Sequence, residues 1–295
     1  MVMERLLVIG GTGLLGSKIL EVAQGRFEVF GTYNLHASER KNMWKLDVCN
    51  RERVFELISR IMPDFVIDTH GLVNIDHCEK NPAEAWMVNV DGAKNVAEAC
   101  KEASCKYMFM STDNVFDGKK GEYTEEDEPH ALNYYAKTKL IMEKVLSALD
   151  VDYVVARSSV MYGTGGSGKA SFPAWLIEKL RGGERVRIVT DQENNPTFTD
   201  NLAEFLLRLY ERDERGVFHI TGTDCISRYD FSVIIADVFG LEKELIVPVT
   251  SSELNQVGLR PGRVNMVNKK VENATGIRAF GIEEGLSIFK KQLIG

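Results

Sequence analysis

Residues 5–16 read RLLVIGGTGLLG, an apolar run that passes directly into three glycines at intervals of three, Gly10, Gly13 and Gly16. The run suits a strand buried on both faces, and LLGSKILEVAQ (14–24), which follows, has helical spacing. A tight turn between strand and helix needs glycine. At such a turn the helix N-terminus offers amide hydrogens and a positive dipole end to a phosphate that approaches the backbone closely. Gly10, Thr12, Gly13, Leu14, Leu15 and Gly16 are therefore candidate cofactor-binding residues. Glycine turns are common, so the weight of this reading depends on its surroundings.

Those surroundings repeat the pattern. FEVFGTY (27–33), DFVIDT (64–69), KYMFMST (106–112) and VDYVVAR (151–157) are further strand-like runs. Between them NRERVFELISRI (50–61), PAEAWMVNVDGAKNVAEACKEA (82–103) and NYYAKTKLIMEKVLSAL (133–149) have helical periodicity. Strand alternating with helix implies an α/β fold, a doubly wound parallel sheet of the Rossmann kind with ligands at the C-terminal strand ends. After Tyr162 the rhythm breaks at GTGGSGK (163–169), a flexible glycine-rich loop. We expect residues 1–162, with returning segments at about 190–222, to form the dinucleotide-binding domain. Residues of about 163–189 and 223–295 are expected to form a smaller C-terminal substrate-binding lobe.

The chain has 295 residues and a net charge of −7 with acids and bases interspersed, a balance that argues against nucleic acid or an anionic membrane as partner. The five cysteines include no C-x-x-C pair, which disfavours structural zinc and a disulfide framework and favours free thiols. The start, MVMERLLVIGG, reads as a first strand and not a signal peptide, no run is long enough to span a bilayer, and a cytoplasmic location is expected. A homodimer is left open.

In NYYAKTKLIME (133–143) a helix would place Tyr135 and Lys139 on one face, whereas Tyr134 is followed at that distance by Thr138. A lysine ammonium near a phenol stabilises phenolate and draws its pKa down from about 10. A surface lysine beside a half-buried tyrosine would share the spacing. MFMSTDNVFDG (108–118) adds Ser111, Thr112 and Asp113 at the C-terminal end of a parallel strand, where a hydroxyl can bond a substrate oxygen as charge develops on it.

The G-x-x-G-x-x-G spacing and Tyr-x-x-x-Lys pair resemble the extended short-chain dehydrogenase/reductase superfamily. STDNVFDG, YAKTKLIME, VTDQENNPTFTDNLAE, VFHITG followed by ISRYDF, IVPVTSSE and LRPGR together resemble the dTDP-4-dehydrorhamnose reductase family over nearly the whole chain. That resemblance implies an NADP(H)-dependent oxidoreductase acting on a nucleotide-sugar ketone in dTDP-rhamnose biosynthesis. Tyr135 would donate the proton to the sugar C4 oxygen, Lys139 would hold the nicotinamide ribose, and Thr112 would bond the same oxygen with Asp113 and Asn114 beside it. Asp47 and Val48, after a third strand, would approach the adenine, and His70, Gly71 and Leu72 would line the dinucleotide. Arg260, whose planar fork suits phosphate oxygens, is the candidate for the substrate diphosphate. Val160 stands where the family often has tryptophan, and THGLVN ends the fourth strand where many relatives carry small alanines.

An NAD site usually has an acid at the end of strand two. Here Thr32, Tyr33 and Asn34 occupy that end, with Ser38, Arg40 and Lys41 following, which favours NADP(H), while Glu39 keeps NAD(H) admissible. Asp76, His77, Cys78 and Glu79 resemble a metal cluster on paper, but consecutive residues splay around a helix and no metal is expected. LIEKL around Trp175 reads as packing. Two alternatives stand beside the reductase: a nucleotide-sugar epimerase or dehydratase, and a non-catalytic dinucleotide-binding subunit resembling the methionine adenosyltransferase β subunit.

Overall fold

The structure, a computed structural model, describes residues 3–168 and 170–294, so Lys169 of the glycine-rich loop lies outside the described residues. Its centre is a seven-stranded parallel sheet of β1 (Arg5–Ile9), β2 (Glu28–Tyr33), β3 (Met43–Lys45), β4 (Phe65–Asp68), β5 (Lys106–Thr112), β6 (Tyr153–Ser158) and β7 (Gly216–His219). The spatial order is β7-β6-β5-β4-β1-β2-β3. The chain runs outward from β1 to β3, crosses back to β4 and continues the other way, so the order reverses between β1 and β4. Open α/β sheets bind ligands in the crevice at that reversal.

Alternation along each strand divides the core between the two faces. Leu6 and Val8 face one side, with Phe65, Ile67 and Met108, where Ile19 of α1 (Leu14–Val22) and Phe205 and Leu206 of the helix Thr199–Glu211 cover them. Leu7 and Ile9 face the other, beneath Val54 and Ile58 of α2 (Arg51–Ile61), Val96 of α3 (Ala93–Glu102), and Met142 and Leu146 of α4 (Tyr134–Ala148). Each fully buried aliphatic side chain contributes about 1.5–3 kcal/mol, which makes the sheet a rigid frame for the strand ends. Asn133 caps α4 through its side chain, which accepts from the Ala136 amide, and thereby sets the phase of Tyr135 and Lys139.

A further apolar cluster joins Tyr162, Leu176, Ile188, Phe198, Phe231, Ile235 and Phe289. It includes residues of α5 (Phe172–Arg181), of α6 (Arg228–Phe239), and of the parallel pair Val186–Val189 with Ile246–Val249.

Residues 82–103 depart from a single regular helix. Pro82–Trp86 is α-helical, Met87–Gly92 forms a π turn, and α3 follows. A π turn admits an extra residue and rotates the groups on it. Here it aims the Val88 carbonyl and the Asn89 side chain at the segment after β4. Gly92 closes the turn where a Cβ would lie 2.7 Å from Val48 Cγ2.

Candidate active site

The turn after β1 is built as its glycines require. Gly10 adopts φ +78, in the left-handed region, and a Cβ there would meet Thr69 Oγ1 at 2.9 Å. Gly16 has no room for any side chain, because a Cβ would lie 2.2 Å from the Gly10 carbonyl oxygen. Gly13 begins α1 with no side-chain cap, which leaves the amides of the first turn, on Leu14, Leu15 and Gly16, to a ligand. Thr12 shares the turn, and its carbonyl accepts from the Ser167 amide at 2.9 Å.

That last contact alters the reading of residues 163–168. The glycine-rich loop lies on the turn: a Cβ on Gly166 would be 2.8 Å from the Leu14 nitrogen, and one on Gly165 2.9 Å from Ser17 Oγ. Gly165 and Gly166 both have positive φ, so glycine is what permits this close approach.

At the end of β2 no acid is present. Thr32 is buried and its Oγ1 accepts from the Gly10 amide at 3.1 Å, so it supports the turn. The Tyr33 carbonyl accepts from Leu46, and Asn34, Arg40 and Lys41 are exposed. Asp47 is exposed and accepts from the Cys49 amide, while Val48 is buried against Gly92.

His70, Gly71 and Leu72 form the wall after β4. His70 Nδ1 meets Asp68 and its Nε2 lies 3.0 Å from the Val88 carbonyl, so both ring nitrogens are engaged and the imidazole is fixed. Asn89 Oδ1 accepts from the Leu72 amide at 2.7 Å, and its Nδ2 donates to the Leu72 carbonyl and to Thr138 Oγ1. This buried amide joins the wall to α4, and sequence reading did not single it out. The available signal was a polar residue between Val88 and Val90 on a buried helical stretch. Gly71 leaves space for Lys139, whose Nζ would be 3.2 Å from a Cβ there.

Thr112, Asp113, Asn114 and Tyr135 converge on one cavity of about 740 Å³. Thr112 Oγ1 donates to Asp113 Oδ1 at 3.0 Å, Ser159 Oγ donates to Asp113 Oδ2 at 2.6 Å, and Asn114 Nδ2 donates to Asp113 Oδ1 at 2.8 Å. Asp113 thus orders the hydroxyls around the phenol. Burial, and next the charge of Asp113, hold Tyr135 above the ordinary tyrosine range, while the neighbouring Thr112 hydroxyl pulls it down. This corrects the expectation of a phenol drawn down by Lys139, since the balance at Tyr135 is set by desolvation. Tyr134, the other member of the pair, is partly buried against Cys78 and Ala85.

Lys139 is 3 % exposed, and its ammonium sits 4.6 Å from the centre of the Phe109 ring. It makes no ion pair or hydrogen bond among the described residues. Burial pushes it down to about 8, against opposing pulls from Asp68, Cys78 and Glu143. A lysine depressed in the folded state penalises folding fully below that value. The penalty is relieved between about 8 and the ordinary lysine value of 10.5, where only the unfolded chain stays protonated. Lys139→Met is therefore expected to raise the Tm at neutral pH, with the gain shrinking as pH climbs through that window. A Tm difference flat across the window would contradict it.

Arg260 lines the same cavity, with Nη1 engaged by Asp76 Oδ1 and the Gly258 carbonyl. Val160 is on the wall, and so are Phe172 and Trp175 of α5; Trp175 also packs, as expected, against the cluster that holds Leu176, Ile177 and Leu180. The four residues discounted as a metal cluster point four ways. Asp76 takes Arg260, His77 pairs with Glu84, Cys78 Sγ donates to the Leu72 carbonyl, and Glu79 accepts from the Tyr134 amide.

The chain matches the family described as RmlD substrate binding domain over residues 3–293. It is 31 % identical over 287 residues to a probable low-salt glycan biosynthesis reductase of Haloferax volcanii, covering 95 % of each protein. It is 30 % identical over 290 residues to a dTDP-4-dehydrorhamnose reductase of Aggregatibacter actinomycetemcomitans, covering 94 % of this chain and 95 % of that one. A crystal structure of dTDP-4-dehydrorhamnose reductase from Bacillus anthracis in complex with NADP has a TM-score of 0.89 at 25 % identity, covering 99 % of this chain and 100 % of that one.

Proposed function

Because the chain belongs to the RmlD substrate binding domain family, we propose that it is an NADPH-dependent reductase of a nucleotide-linked 4-keto-6-deoxy sugar, converting dTDP-4-dehydro-L-rhamnose to dTDP-L-rhamnose. The observation that carries the reading is the meeting of Thr112, Asp113 and Tyr135 on one cavity wall, with Lys139 and the glycine turn leading away from it.

The residues fit a dinucleotide. The uncapped start of α1 would hold the pyrophosphate, the wall from His70 to Leu72 would flank it, and Lys139, beside Gly71, would hold ribose hydroxyls. Thr32 without charge, and Arg40 and Lys41 free in solvent, suit a 2′-phosphate better than a bare hydroxyl. When bound, NADPH supplies the hydride that reduces the ketone carbon.

The protein's own part is the oxygen. Tyr135, protonated at neutral pH because it is held high, gives its phenolic proton to the carbonyl oxygen as charge develops there. Thr112 turns its hydroxyl from Asp113 to the same oxygen, and Asp113 stays satisfied by Ser159 and Asn114. The presence of all three groups favours a turning-over enzyme over a binding-only subunit.

Purified protein mixed with dTDP-4-dehydro-L-rhamnose is expected to consume NADPH, faster than NADH, and to yield dTDP-L-rhamnose by mass spectrometry. Failure to oxidise NADPH with any nucleotide-linked 4-keto sugar would overturn the proposal. Oxidised cofactor retained through purification would point to an epimerase instead.

A further inference from the structure

We propose that Arg228 is the anion anchor of the cavity, binding the diphosphate of the nucleotide-linked substrate; this rests on the substrate class proposed above. Three arginines line the cavity, Arg187, Arg228 and Arg260. Two are committed. Arg260 is held by Asp76 and the Gly258 carbonyl, and Arg187 donates to the Glu253 carbonyl at 3.2 Å with the Glu253 carboxylate 3.9 Å away. The Arg228 side chain has no ion pair and no hydrogen bond among the described residues. Its guanidinium carbon instead lies 4.6 Å from the centre of the Phe172 ring, at the start of α5.

The surroundings of this cation favour an anion beside it. Arg228 is the first residue of α6, so its cation sits at the positive end of the helix dipole. The acid close by in sequence, Asp230, is turned to the cap, where its Oδ2 accepts from Ser227 Oγ at 2.6 Å. Burial pushes the guanidinium down to about 10, offset by the charge of Asp113, which is not within ion-pairing distance. The Arg228 amide donates to the Gln192 carbonyl at 3.0 Å, fixing the backbone from which the side chain departs. A guanidinium that is half-buried, set over an aromatic ring and unpaired among the described residues has its planar fork free. Two phosphate oxygens fit that fork.

The test is titration of the full protein with dTDP, UDP and inorganic pyrophosphate by calorimetry, for wild type, Arg228→Met and Arg228→Lys. Arg228→Met is expected to bind dTDP about 10- to 100-fold more weakly, with NADPH affinity unchanged and Arg228→Lys recovering part of the loss. The Met variant is expected to melt no lower than wild type, since an unpaired cation leaves the positive end of a helix. A purely structural role would lower the Tm and spare dTDP binding, and that result overturns the proposal. Equal dTDP affinity in wild type and the folded Met variant overturns it too and leaves the reductase reading standing. Arg228-dependent dTDP binding without turnover of any keto sugar supports the anchor and removes the reductase. Wild type that binds none of the three anions overturns the anchor.

Discussion

Tyr135→Phe is expected to lower kcat by about three orders of magnitude, with the Tm and NADPH affinity close to wild type. The phenol lines the cavity beside Thr112, and in the proposed reaction its hydroxyl is the proton source. Phenylalanine keeps the ring against Cys78 and Ala85 and removes only the oxygen, so packing is preserved. The effect belongs to kcat and not to KM, because the proton moves only as the ketone is reduced. A variant within tenfold of wild type would remove Tyr135 from the acid role and shift attention to Thr112.

The second large effect is on stability. Glu143, one turn beyond Lys139, is buried, and its carboxylate takes Arg157 Nη2 at 2.6 Å, Arg157 Nε at 3.1 and 3.2 Å and the Ser111 hydroxyl. Arg157 in turn reaches His219 Nε2 at 3.4 Å, and burial and Arg157 push that imidazole down to about 3, so it accepts as a neutral ring. The pair fastens α4 to β5 and β6 and so fixes the helix that carries Tyr135 and Lys139. Glu143→Ala strands a buried guanidinium, at a cost of about 3–5 kcal/mol, and a Tm lower by roughly 5–10 °C is expected. The double variant Glu143→Leu, Arg157→Met replaces the pair with apolar volume and is expected to recover most of the loss by thermal melting. If the single variant melts with wild type, the pair is not what holds the helix.

Both residues lie in a segment whose importance is visible in the chain, though not equally. Tyr135, Lys139 and Glu143 recur every fourth residue, a spacing that declares a shared helical face, and the run from Ser111 to Asn114 is contiguous. The parallel sheet is legible for the same reason, since apolar runs and glycine spacing are local patterns. What is not local was not legible. Met87–Gly92 carries no residue type that demands a π turn, so its helical periodicity hid the reorientation of Asn89. Lys139 and Tyr135 have a spacing in sequence, but the protonation energy of each depends on the burial that the fold imposes. Trp175 sits on an apolar stripe, and only the tertiary arrangement turns it to the cavity.

Gly165 and Gly166 bring the loop after Tyr162 onto the same helix start that a phosphate would take. Where a phosphate at that helix start required the loop to lift, the loop would act in thermodynamic terms as a tethered competitor, present at fixed local concentration and never diluted. The apparent dissociation constant of a dinucleotide would then be its intrinsic value divided by the fraction of molecules in which the loop has lifted. The loop precedes α5, whose Phe172 and Trp175 face the cavity, so a ligand that displaced the loop and also moved α5 would change the affinity of the cavity for its own ligand. Linkage makes that coupling equal in both directions: whatever the first ligand does for the second, the second returns.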